Sequence, residues 1–271
     1  MRMNPKPLAV AVCAALIVCG FITPGAAQPS AYTGLRTADH RPDMNGIWQA
    51  MNTANWDLEA HAARPGLVVA LGAVAAEPGG ISVVEGGAIP YLPAALAQRK
   101  ENFQNRLTAD PEIKCYLPGV PRATYMPYPF QIFQSDKSIA IAYEYDGAFR
   151  NIFLKSPGPA PTDSWMGQSV GRWEGDTLVV DVTGLEERTW LDRAGNYHSD
   201  ALHVVERYTP LGPDTLTYEA TIEDPKVFSR PWKISMPLYR HVEKNAQLVE
   251  FKCVEFVEEL MYGQYRKKTS Q

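Results

Sequence analysis

The chain carries no glycine run ending in Gly-Lys-Ser/Thr and no His-Glu-x-x-His pair, so neither a P-loop nucleotide enzyme nor a helix-borne zinc protease is indicated. Long apolar runs are scarce too. Beyond Leu8 to Ile22 there is none, and that one is too short and too poorly flanked to span a bilayer. It reads as the core of a secretory signal over residues 1–27, with Arg2 and Lys6 ahead of it and Gly25-Ala26-Ala27 at the cleavage position. Cys19 invites a lipoprotein reading, weakened by the bulky Val18 before it. Excess positive charge is also missing. Losing Arg2 and Lys6 takes the formal charge from −4 to −6, which argues against nucleic acid or an anionic membrane and favours a small molecule as partner. Of the 4 cysteines, Cys13 and Cys19 leave with the signal. Cys115 and Cys253 remain in a chain expected to be periplasmic or secreted, where disulfides persist. Joining them closes a loop of about 138 residues, which chain entropy values at about 5 kcal/mol as an upper figure.

What remains after the signal divides into an irregular N-terminal region, 28–111, and a strand-rich region, 112–271, expected to pack as a single unit. Residues 28–39 read as a mobile lead-in, Ile47–Met51 as a first strand, and Asp57 as the cap of a short helix over Leu58–Ala63. The Gly/Ala/Val-rich stretch from Pro65 to Pro90 reads as a flap loop. Pro93 opens an amphipathic helix with Leu96, Phe103 and Leu107 as its apolar stripe. Four prolines between Tyr116 and Pro129 exclude a central strand there. From Phe130 the period becomes two. Strands are expected over Phe130–Gln134, Ser138–Tyr145, Phe149–Leu154, Gln168–Trp173, Thr177–Thr183, Ala201–Thr209, Thr215–Glu223, Trp232–Arg240 and Gln247–Cys253, separated by turns such as Asp146-Gly147 and Glu174-Gly175-Asp176. This is a mainly β chain: an antiparallel meander closing into a lipocalin-like barrel or curled sheet, with one or two short helices in the N-terminal half. A two-sheet sandwich is the rival.

Alternation puts Leu202, Val204, Glu206 and Tyr208 on one face of their strand, and Leu216 and Tyr218 on one face of the next. Glu206 is the acid among apolar neighbours, either a general acid/base or half of a buried pair with Arg150 or Arg172, the candidate anion stabilisers. His198 with Asp192 is a candidate general-base pair, and Asp200 and His203 nearby raise the weaker prospect of a zinc site. Tyr143, Tyr145, Trp165, Trp173, Trp190, Tyr208, Tyr218 and Trp232 are the aromatic groups that could line a pocket.

The runs Gly171-Arg172-Trp173-Glu174-Gly175-Asp176-Thr177-Leu178-Val179-Val180, Glu206-Arg207-Tyr208-Thr209, Asp224-Pro225 and Arg230-Pro231-Trp232 resemble a large group of exported bacterial proteins. The likeness reaches back to Cys115 and carries no activity or catalytic residue with it. In outline the strand pattern is also similar to lipocalin-type barrels, by shape alone. The expectation is a secreted, cofactor-independent isomerase, lyase or hydrolase that moves a proton on a small apolar, aromatic or terpenoid molecule. A periplasmic carrier with the same pocket and an envelope protein-interaction module are the alternatives, and the oligomeric state is left open.

Overall fold

Nine strands close on themselves in the computed structural model, which describes residues 1, 32–65 and 76–265. The signal reading at 1–27 and residues 66–75 of the flap lie outside the described residues. In chain order the elements are β1 (Gly46–Gln49), the short ribbon β2 (Arg64–Pro65) and β3 (Ala76–Glu77), α1 (Pro93–Ala109), α2 (Arg122–Tyr125), β4 (Phe130–Gln134), β5 (Ser138–Tyr143), β6 (Phe149–Phe153), β7 (Gln168–Glu174), β8 (Thr177–Thr183), β9 (His203–Gly212), β10 (Thr215–Glu223), β11 (Trp232–Arg240) and α3 (Val257–Tyr262). The barrel order is β1-β11-β10-β9-β8-β7-β6-β5-β4, and β1 pairs with β4 to close it. Closure leaves no free edge, so the sandwich alternative falls.

Two differences from the expected meander have plain causes. β6 and β7 run parallel, with Ile152 opposite Ser169, because the proline-rich connection 154–167 returns the chain to the same end rather than turning as a hairpin. The last expected strand, Gln247–Cys253, is not a strand; the place between β11 and β4 is taken by β1. Residues 247–253 instead lie across the β5–β6 end, where Phe251 packs on Tyr128 and Tyr145 at 4.6 and 5.5 Å between ring centroids. Cys253 is bonded to Cys115, which ties this segment to the 3₁₀ turn Pro111–Lys114.

The N-terminal region is more firmly attached than its composition suggests. Arg36 pairs with Asp176 at 2.8 Å in the β7–β8 turn, so residues 32–39 are docked rather than loose. No helix follows Asp57: its Oδ1 accepts from Glu59 N–H at 3.1 Å as a cap would, but Leu58 N–H donates to Asp192 at 2.9 Å and the chain continues as a loop. The described end of the flap is laid on β11, where Glu85 N–H donates to Lys233 O and Ser235 N–H to Val83 O. α1 forms where Pro93 predicts, but Leu96 points to solvent. The inward face of α1 carries Ala95, Arg99, Asn102, Phe103 and Arg106, because its neighbours are polar loops rather than the barrel core. Among the described residues no helix is long and apolar enough to cross a membrane.

Inside the barrel the alternation holds. On β9, Val204, Glu206 and Tyr208 are buried, and on β10 so are Leu216, Tyr218, Ala220 and Ile222. With Trp48, Phe130, Ile141, Trp232 and Ile234 they form one contiguous core, so the interior is packed with side chains.

Candidate functional site

Glu206 stands at the barrel centre with no exposed surface. Arg150 reaches it from β6 with both terminal nitrogens, one of them at 3.2 Å from Oε1, and spends its Nε–H on Ser169 Oγ at 2.7 Å. Tyr218 and Tyr208 donate to the same Oε1 at 2.8 and 3.1 Å. Burial would push the Arg150 guanidinium down, but Glu206 outweighs it and holds its pKa well above the ordinary value. Burial raises the Tyr208 and Tyr218 phenols, and the Glu206 charge adds to the rise. This is a satisfied ion pair in a packed core, the bland alternative to an acid awaiting substrate. Tyr143 Oη and Thr124 Oγ1, buried beside it, have no partner at hydrogen-bonding geometry among the described residues.

The serine of this cluster belongs to a spacing that is not among the candidates above. Gly167-Gln168-Ser169-Val170-Gly171 has the form Gly-x-Ser-x-Gly, yet it opens β7 instead of joining a strand to a helix. Ser169 is 1% exposed and its hydroxyl accepts from Arg150, so it is no nucleophile elbow.

A second polar layer crosses the mouth of the barrel. Arg122 on α2 is 1% exposed and donates to Asp110 Oδ1 at 3.1 Å, Glu112 Oε2 at 2.6 Å and Asn55 Oδ1 at 2.8 Å. Arg193 adds a two-pronged contact to Glu112 at 2.8 and 2.9 Å. Burial alone would raise Glu112, but Arg193 and Arg122 hold it down to about 2. Asp110, facing one arginine and the Glu112 charge, is raised by its burial.

The layer continues into the loop after β8. Asp192 is fully buried, and each of its oxygens accepts: Oδ2 from Leu58 N at 2.9 Å and Asn196 Nδ2 at 2.5 Å, Oδ1 from Asn196 N at 3.1 Å. Asn196 Nδ2 also reaches Asp57 Oδ1 at 3.5 Å, and Asn196 Oδ1 accepts from Tyr91 at 2.9 Å and Arg99 at 3.2 Å. Burial, reinforced by the Asp57 charge, pushes the Asp192 carboxyl up to about 7. Asp57 itself lines an opening of about 450 Å³ together with Glu59, Ala60, His61, Ala62, Arg64, Arg99 and Phe103. A carboxyl poised near neutrality one amide away from a cavity-lining carboxylate is the arrangement best suited to proton transfer in the described structure.

The other expected site residues are scattered. His198 does not meet Asp192: its Nδ1 lies 3.0 Å from Ser199 O and its Nε2 2.6 Å from Thr189 Oγ1, and burial lowers its pKa. The pair separates because the turn at Gly195 sends Asp192 toward Leu58 and His198 toward Thr189. Asp200 pairs with Lys226 at 2.5 Å and His203 with Asp181 at 3.1 Å, so the three candidate zinc ligands do not converge. Arg172 is on the barrel exterior, 57% exposed and paired with Glu174 rather than with Glu206. Of the aromatic set, Tyr143, Tyr208, Tyr218 and Trp232 are core. Tyr145 leaves the β5 face in a 3₁₀ turn and donates to Glu112 O at 3.1 Å. Trp165 is half-buried under Arg188 at 4.6 Å, Trp173 lies under Arg41 at 5.6 Å, and Trp190 is half-buried in a bridge to Tyr197. They line no common pocket.

The contacts of Asn196 with Asp57 and Arg99, and of Arg122 with Asn55, have no sequence signal of their own, since they join segments more than 60 residues apart. Only Asp192 and Asn196, four residues apart, could have been paired from spacing. No protein-family model and no curated protein matches the chain.

Proposed function

We propose that the chain is an acid–base enzyme, of isomerase, lyase or hydrolase type, that moves a proton on a small polar molecule held in the opening beside Asp57. The observation that carries this reading is the Asp192 carboxyl, pushed up to about 7 and sharing Asn196 Nδ2 with Asp57. Asp57 is the group that would touch substrate, and Asp192 behind it is a positioning residue that acts on it through Asn196. The reading calls on no cofactor: a carboxyl can itself give and take a proton at the substrate. A polar substrate is proposed in place of the apolar one because four of the eight lining residues, Asp57, Glu59, Arg64 and Arg99, are charged. Glu206, with four donors on it, serves the barrel instead.

Incubation with a metabolite extract in D₂O tests this with no substrate chosen beforehand. Deuterium will enter, or mass will change in, a small set of compounds only when the protein is present. Asp57→Asn will abolish the change, and the rate will break near pH 7, with the break displaced in Asp192→Asn. No converted compound, or an Asp57→Asn protein as active as the parent, would overturn the reading. Binding without turnover is the second reading, favoured because the hydrogen bonds on Asp192 would fix the loop whether or not chemistry follows.

Export is part of the same proposal and is supported by the Cys115–Cys253 bridge. Intact mass of the protein isolated from its own cells will match residues 28–271 with two hydrogens missing. A full-length mass with both thiols free would refute it.

A further inference from the structure

Three guanidinium groups gather around one ring. Arg64, Arg99 and Arg106 stand 4.8, 5.4 and 4.4 Å from the Phe103 ring centroid. Two carboxylates answer them: Glu77 serves both Arg64 and Arg106, at 3.1 and 2.8 Å, and Asp57 stands 3.6 Å from Arg99. Glu59, also at the opening, has one oxygen taken by Ile89 N–H at 2.8 Å. Arg64 Nε has no hydrogen-bond partner among the described residues, its N–H being turned away from Glu77 despite the short distance. Arg99 commits its Nε to Asn196, which leaves its outer edge toward the cavity. The charges here balance, three guanidiniums against Glu77, Asp57 and Glu59, but among the described residues Arg64 makes no side-chain hydrogen bond and Arg99 only the one from Nε, so guanidinium N–H groups at the opening remain to be filled.

We propose that the opening binds the oxyanion of a small acid, a carboxylate or a phosphate monoester, between Arg64 and Arg99. This rests on the reading of the opening as the substrate site and names the substrate's handle. A guanidinium presents two parallel N–H donors that match the two oxygens of a carboxylate or phosphate. With Asp57 on the same wall, an acid held this way places its neighbouring carbon or oxygen within reach of a carboxylate.

Thermal unfolding of the mature protein will be followed against sodium phosphate and against sodium benzoate, each with chloride at matched ionic strength. One of the two will raise the midpoint saturably, and which one does so separates the phosphate source from the carboxylate source. Arg64→Gln will weaken that binding about tenfold or more. The substitution should spare the fold, because Glu77 keeps Arg106 and the Arg64 side chain is 33% exposed. Circular dichroism will check this, and Arg64→Lys will recover part of the affinity. Arg99→Gln provides the second arm. No saturable shift with either anion, or equal shifts in both glutamine variants and the parent, would overturn the proposal. Asp192→Asn separates it from the acid–base reading: that variant will keep the anion-induced shift. If its turnover also keeps the parent's break near pH 7, the acid–base reading fails and the anion site stands.

Discussion

Replacing Arg150 with methionine will destabilise the protein by about 3–5 kcal/mol in urea unfolding followed by tryptophan fluorescence. The cost arises because Glu206, with no exposed surface, loses the one cation beside it among the described residues. Tyr208 and Tyr218 still donate to Oε1, but two neutral hydroxyls do not offset a carboxylate taken out of water. Ser169 also loses the partner of its hydroxyl. The double variant Arg150→Met/Glu206→Gln will recover the larger part of the loss, since the amide oxygen still accepts from both tyrosines and no charge is left unpaired. A single variant costing under about 1 kcal/mol, or a double variant no more stable than the single, would show that the pair does not hold the barrel centre together.

Stability will fall as pH rises from about 4 to 8, by an amount of order 4 kcal/mol assigned to Asp192 alone. The Asp192 carboxyl rises from 3.8 to about 7 on folding, so the folded state keeps a proton that the unfolded chain has released. Its contribution is therefore fully present below the unfolded value and lost as pH climbs through about 7. Glu112 acts in the opposite sense over a lower range: held down to about 2, it gives stability that is present above the ordinary carboxylate value and lost toward pH 2. The two together place the maximum at about pH 4. Denaturant midpoints from about pH 3 to 9 will show that dome, and Asp192→Asn will flatten its alkaline side. An alkaline limb unchanged in the variant would remove Asp192 as its source.

The placement of Glu206 shows how far a pattern carries. On β9 the alternation of His203, Val204, Val205, Glu206 and Arg207 is enough to put the acid inside, because a closed barrel offers each strand one wet face and one dry face. Arg150 is legible as its partner for the same reason, lying on the buried face of β6. The same rule misleads at Gln247–Cys253, where Phe251 and Cys253 alternate because they pack on Tyr128, Tyr145 and Cys115 rather than because the segment joins a ladder. The aromatic candidates fail for a related cause. Trp165, Trp173 and Trp190 are each partnered locally by an arginine or a backbone bridge, and richness in tryptophan along a segment does not bring the rings to one place.

The residues now proposed for function are the least legible. In the sequence Asp57 reads as a helix cap and Arg99 as part of the polar side of α1. Both face the opening because α1 packs against the loop around Asn196, a contact between segments about a hundred residues apart.

By itself the sequence determined the mainly β barrel, with eight of its nine strands read from period-two segments and the ninth from Ile47–Met51, together with the helix at Pro93, the bridge between Cys115 and Cys253, and the burial of Glu206. These follow from periodicity, turn chemistry and the pairing of two cysteines, all of which act over a few residues or through a single choice. Tertiary structure alone decided which strand closes the barrel, that β6 and β7 run parallel, and that Asp57, Arg64, Arg99 and Phe103 meet at one opening with Asn196 and Asp192 buried behind Asp57. A carboxylate's proton affinity and an arginine's free edge depend on what the whole fold brings within a few ångströms, and no local pattern in the chain encodes that.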